Sequence, residues 1–109
     1  MSKQLKFTYK DKEYTLEYTR RSVERMERNG FNATEMRDKP MTTLPALFKG
    51  AFLAHHPFVK NELVDEIYGK MTNKQELIGK LAEMYNEPIS ALVDEPEENE
   101  GNLNWTASW

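Results

Sequence analysis

The stretch from Leu44 to Ala54 constrains the fold more than any other part of the chain. Leu44, Leu47, Phe48, Ala51 and Phe52 make one apolar stripe at helical spacing. Ala46, Leu53 and Ala54 lie outside that stripe, and Lys49 is the only charge. A helix apolar around most of its circumference must be central, or must meet a partner on its second face. Thr43 can cap this helix, Pro45 is tolerated in a first turn, and His55-His56-Pro57 ends it. A chain of 109 residues supports one modest apolar core and not two. The remaining segments either surround residues 44–54 or leave one side of that helix for a partner.

The N-terminal segment has a different period. Leu5, Phe7 and Tyr9 alternate with Lys6 and Thr8, and Tyr14, Leu16 and Tyr18 alternate with Thr15 and Glu17. Period-2 alternation with aromatic and Thr-rich content predicts a β-hairpin, with Lys10–Glu13 as its loop. A lone hairpin is marginal in water, so its apolar face must lie on the helices that follow.

Thr19 can cap a first helix running to about Asn29. Val23 and Met26 face inward, and Glu24 sits four residues from both Arg20 and Arg28 on the wet side. Asn29-Gly30-Phe31 is a stop signal, with Gly30 left-handed and Phe31 packing back on Met26. Residues 32–41 read as a polar connection with one helical turn at Asn32–Met36. A third helix over residues 58–71 carries Val59, Leu63, Val64, Ile67, Tyr68 and Met71 on one side, and Glu62, Asp65 and Glu66 on the other. Thr72-Asn73-Lys74-Gln75 fits a capping box for a fourth helix through about Asn86, faced by Leu77, Ile78, Leu81, Met84 and Tyr85. Pro88 opens a last short helix, Ile89–Val93. The predicted architecture is α+β and mostly α: an N-terminal β-hairpin packed on a bundle of about four helices. It forms one compact domain over residues 1–93, followed by an acidic, tryptophan-containing tail over residues 94–109, expected to be flexible.

Charge supports that division. Asp94, Glu95, Glu97, Glu98 and Glu100 are five acids with no Lys or Arg from residue 94 onward; removing them from the 18 acids leaves 13 against 15 bases, so the body is slightly positive. A hydrophobic fraction of 39% and a charged fraction of 30% are those of a globular protein. No cysteine is present, which excludes disulfides, thiolate nucleophiles and thiolate metal sites. Met1–Lys6 contains no signal-peptide apolar core, and no run approaches the roughly 20 apolar residues that cross a bilayer. A soluble cytoplasmic protein is expected, with no membrane partner.

The residues offer little for catalysis. His55 and His56 are the only histidines. Neighbours on a helix point about 100° apart and do not easily share a metal. His55 continues the line of Leu44, Phe48 and Ala51, and reads as a histidine packed at a helix C-terminus, where positive charge is favoured. Ser2, Ser22, Ser90 and Ser108 sit in no nucleophile elbow. The pairs Glu62/Glu66 and Asp65/Glu66 read as a solvated helix face, not as an acid–base couple in a cleft. Neither a phosphate-binding loop nor a dinucleotide fingerprint is present. The expectation is a non-enzyme with no metal and no cofactor.

Arg20, Arg21, Arg25 and Arg28 gather on the first helix, followed by Arg37 and Lys39, and could position on phosphates. Glu24 and Glu27 interrupt the patch, so a salt-bridged surface helix is the preferred reading and no nucleic-acid partner is expected. The tail is harder to explain by folding. Both tryptophans, Trp105 and Trp109, lie beyond the acidic run. Such rings are preferred anchors because they bury a large rigid area at low entropic cost. The segment either folds on a partner's groove or returns to pack on its own domain.

Several stretches carry a resemblance: Phe7-Thr8-Tyr9-Lys10-Asp11-Lys12-Glu13-Tyr14, Leu44-Pro45-Ala46-Leu47-Phe48, Phe52-Leu53-Ala54-His55-His56, Lys80-Leu81-Ala82-Glu83-Met84-Tyr85, and the terminal Asn104-Trp105 with Trp109. Over nearly the whole chain these resemble small tail assembly chaperones of siphophages and prophages from Gram-positive bacteria. The resemblance implies a protein of the host bacterial cytoplasm that coats the long helical tape measure protein, keeps it soluble and helps recruit tail tube subunits. It supplies no catalytic residue. A client-coating protein needs exposed apolar surface, for which Leu53, Phe58, Leu103, Trp105 and Trp109 are the candidates, in client contacts or in self-association. The alternatives are another phage morphogenesis component, such as a connector or minor tail protein, and a small nucleic-acid-binding regulator.

Overall fold

A computed structural model describes residues 3–93 and 105–109. Two strands, β1 (Leu5–Tyr9) and β2 (Lys12–Leu16), are followed by α1 (Arg20–Arg28), a 3-10 turn (Ala33–Met36), α2 (Pro40–Gly50), α3 (Asn61–Lys70) and α4 (Lys74–Ala91). The predicted α+β class, with an N-terminal antiparallel hairpin followed by four helices, is what the structure has.

The hairpin is tighter than the sequence suggested. Lys12 and Glu13, expected in the loop, pair with Tyr9 and Thr8, so the turn is only Lys10-Asp11. Both of these residues are left-handed, with φ of 49° and 64°. A two-residue turn of this hand matches the right-handed twist of the strands it joins, which a flatter loop would splay. Leu5, Phe7 and Tyr9 share a face with Leu16, Tyr14 and Lys12, and the Phe7 and Tyr14 rings stack with centroids 5.3 Å apart.

Helix α1 begins as predicted at Thr19. Its hydroxyl accepts from the Ser22 amide, and Ser22 Oγ accepts from the Thr19 amide, which closes a capping box with serine in the third position. At its other end Gly30 has φ of 94°, and the Phe31 amide donates back to the Met26 carbonyl at 2.9 Å. The Phe31 ring lies edge-on against Tyr85 of α4, 5.4 Å between centroids.

Helix α2 starts earlier than Thr43. Pro40 takes the first position, and the Thr43 amide already donates to Lys39. Pro45 is thus inside the helix, where it removes a hydrogen bond to the Met41 carbonyl. Both residues are on the exposed side, so that carbonyl has water available. The helix also ends earlier, at Gly50, and the chain continues through residues 51–55 in turns closed by bonds of the tighter i→i+3 kind, such as Ala51 to Phe48 and Phe52 to Lys49. That tightening leaves the Leu47 carbonyl without its helical donor, and the buried Tyr18 hydroxyl takes it at 2.6 Å.

Helix α3 is shorter than expected, because Phe58 and Val59 belong to the connection before it. The capping box predicted from Thr72 is not formed. Asn73 occupies the cap in a left-handed conformation, φ 50°, and makes no side-chain cap bond. A capping side chain reaches the first amides from extended backbone, which Asn73 does not have. Helix α4 then runs unbroken through Pro88, where the sequence suggested two helices. One hydrogen bond is lost there, while Leu81, Met84 and Tyr85 one turn earlier are packed in the core and fix the helix direction.

All of these elements meet in one core. Leu16, Leu47, Phe48, Ala51, Phe52 and Leu81 are fully buried. Phe52 is the hub of the aromatic contacts, within 5.2 to 6.3 Å of Phe48, Tyr14 and Phe7. Of the two places open to residues 44–54, their apolar stripe takes the central one, although Leu44 itself is only half-buried. Close approach of α1 to α2 depends on Gly50: a Cβ there would run into the Met26 side chain.

Candidate functional site

The apolar residues left outside this core form the candidate contact surface. Phe58 is 95% exposed, and Trp105 and Trp109 are 81% and 103% exposed. Leu53 has a different environment. It is half-buried, packs against the core, and lines a groove of about 470 Å³ between α1, the 3-10 turn and α2, with Met26, Phe31 and Ala46 beside it. Asn29, Asn32 and Lys49 give the groove a polar rim. Phe58 is not part of that groove, so the candidates do not converge on one site. Leu103 lies outside the described residues. Trp105–Trp109 carry no regular secondary structure.

Sequence reasoning missed two exposed groups. Met41 is 87% exposed in the first turn of α2. At the end of α4 and just beyond it, Ile89, Leu92 and Val93 are 39%, 57% and 84% exposed, because the helix runs past the core at Tyr85. The signal for the second was present: apolar residues persist after the last core position Tyr85. A groove of about 770 Å³ lies between this helix end and the start of α1, with Tyr18, Arg20 and Leu92 among its walls.

The histidines do not occupy the predicted environment. Helix α2 stops before them, and His55 does not continue its buried stripe. Instead His55 Nε2 donates to the Glu17 carboxylate at 2.7 Å, and Gln4 Nε2 donates to the same oxygen at 3.0 Å. Glu17 is 8% exposed, one of few buried charged groups, and it could not be anticipated from an alternating strand pattern that placed it outward. His56 Nε2 accepts the Thr15 amide at 3.1 Å, and its ring lies 5.0 Å from that of Tyr14. Burial first, then the charges of Lys12 and His55, lower the His56 pKa. Among the described residues no group of three or more histidines and carboxylates could hold a metal ion.

Two further carboxylates, Glu66 and Glu24, make surface pairs. Glu66 accepts from the Tyr9 hydroxyl and pairs with Lys10 at 3.2 Å, tying the hairpin turn to α3. Its pKa is lowered, chiefly by the Tyr9 hydrogen bond and then by Lys10. Glu24 pairs with Arg28 at 2.6 Å on α1, as its spacing predicted. Burial pushes the Tyr18 phenol well above its ordinary value, in keeping with a hydroxyl that only donates. No described helix is long and apolar enough to cross a membrane.

Fold and surface together define a small α+β domain, a hairpin seated on four helices, with large apolar groups left outside its core. The chain belongs to the DUF5055 family, a domain of unknown function whose match extends over residues 1–109. No curated protein and no solved structure matches it.

Proposed function

We propose that this protein is a tail assembly chaperone of a siphophage or prophage. It binds the tape measure protein and helps recruit tail tube subunits in the host bacterial cytoplasm, and it acts by contact without catalysing a reaction. The observation that carries this reading is the exposure of Phe58, Trp105 and Trp109 on a molecule whose other aromatic rings are wholly or partly buried. Isolated apolar residues on a surface are ordinary, but fully exposed tryptophans are the side chains most often found as interface anchors. The groove lined by Met26, Phe31, Ala46 and Leu53, with its polar rim, offers a second place for an amphipathic helical client.

Co-expression with a tape measure fragment tests the reading. The client should be soluble only with the full chain, and truncation after Val93 should leave the domain folded while weakening capture. Replacing Trp105 and Trp109 together by Ala should lower affinity by about 30-fold or more, the scale of a lost anchor pair. Client solubility that is indifferent to this protein would end the proposal. Mass spectrometry of purified virions adds an independent check, since a chaperone is absent from the finished particle and a connector or minor tail protein is retained.

A further inference from the structure

Among the described residues the sheet has only two strands, so β2 depends on the helical layer to hold it. The turn end is tied to α3 through Glu66. The end of β2 and the residue after it are held by the segment after α2, where the Thr15 amide donates to His56 Nε2 at 3.1 Å and the Glu17 amide donates to the Ala51 carbonyl at 2.9 Å. The two histidines of that segment have opposite tasks at the same ring atom. His55 Nε2 is a donor to Glu17, and an imidazole can carry hydrogen there in either charge state. His56 Nε2 is an acceptor, which requires the neutral ring with its proton on Nδ1.

We propose that His56 is a proton-operated latch for the hairpin. With the ring neutral, the Thr15 amide is held and β2 is seated on the turn after α2. With the ring protonated, Nε2 becomes a donor facing another donor, the bond is lost, and β2 loosens around Thr15. The surroundings oppose the charged form. Lys12 of β2 and the neighbouring His55 are the charged or titratable groups that act on His56, and both disfavour a positive ring. Aromatic rings cover it otherwise, Tyr14 at 5.0 Å and Phe52 at 6.3 Å. Glu17, the residue after β2, is bound by His55 and Gln4. Loosening β2 would uncover part of the Phe7–Tyr14–Phe52 cluster that the latch closes over.

The sign follows from proton counting. The native pKa of His56 lies below its ordinary 6.5, so below that pH the loosened state binds more protons at this residue than the latched one. Hairpin docking is complete above 6.5 and is lost as pH falls through the lowered native value. This inference is independent of any client.

The test is a pH titration of the full chain from 8 to about 5, followed by NMR on the two imidazoles and the Thr15 amide. The Thr15 amide shift should track His56 with a midpoint below 6.5. Its hydrogen-exchange protection should fall by up to about tenfold per pH unit between the two pKa values and then level off. His56→Gln keeps an acceptor that does not titrate, and should abolish the acid response of Thr15. His56→Phe keeps a ring without an acceptor, and should give the loosened exchange pattern at every pH. A midpoint at or above 6.5, a Thr15 amide that ignores the His56 titration, or an unchanged acid response in His56→Gln each overturns the latch. The wild-type titration decides the matter even if a variant does not fold.

Discussion

Phe52 and Phe58 stand close in the sequence and far apart in circumstance: the first is fully buried, the second 95% exposed. Phe52 sits in the tight turns after α2, where successive amides bond to carbonyls three residues back and the ring meets Phe7, Tyr14 and Phe48. Phe58 sits in the connection before α3, outside any regular element. Hydrophobicity is the same at both positions. What differs is whether the local backbone turns the side chain toward the place where three elements meet. Apolar identity alone therefore does not mark a residue as core, and those left outside are the ones free to meet another chain.

Substitutions can break or sharpen this contrast. The largest effect is expected at Phe48, fully buried between Phe52 and Tyr68 at 5.2 and 5.1 Å. Phe48→Ala should destabilise the fold by about 3–5 kcal/mol, read by urea denaturation, because it leaves a cavity as well as losing transfer energy. A smaller cost is expected for Gly50→Ala, whose new methyl group meets Met26. Thioether flexibility absorbs part of the clash, so the loss should be about 1–3 kcal/mol with unchanged denaturant dependence. The smallest is Phe58→Ala, which should alter stability by less than about 0.5 kcal/mol while reducing tape measure capture. A large stability loss at Phe58 would assign that ring to the core and remove it from the contact surface.

The elements that were legible in the sequence share one property: each follows from interactions within a few residues. Alternation marked both strands, Thr19 marked the start of α1 and Gly30 its end, because capping and left-handed geometry are local demands. Boundaries failed where two local signals competed. Pro45 and Pro88 read as helix starts but lie inside helices, since flanking turns and core contacts outweigh one missing amide. Asn73 looked like part of a capping box and instead adopts a left-handed conformation. Of the candidate contact residues, Phe58 and both tryptophans are exposed, a choice between surface and core that the sequence left open, whereas Leu53 divides its surface between core and groove.

By itself, then, the sequence determined which segments are strands or helices, which face of each is apolar, and that residues 44–54 lie either at the centre or against a partner. Tertiary structure decided the polar pairings: Tyr18 with the Leu47 carbonyl, His55 with Glu17, and His56 with the Thr15 amide. The reason is distance along the chain. Periodicity and capping act between neighbours, whereas these bonds join residues 29, 38 and 41 positions apart, and only packing brings such groups to one place.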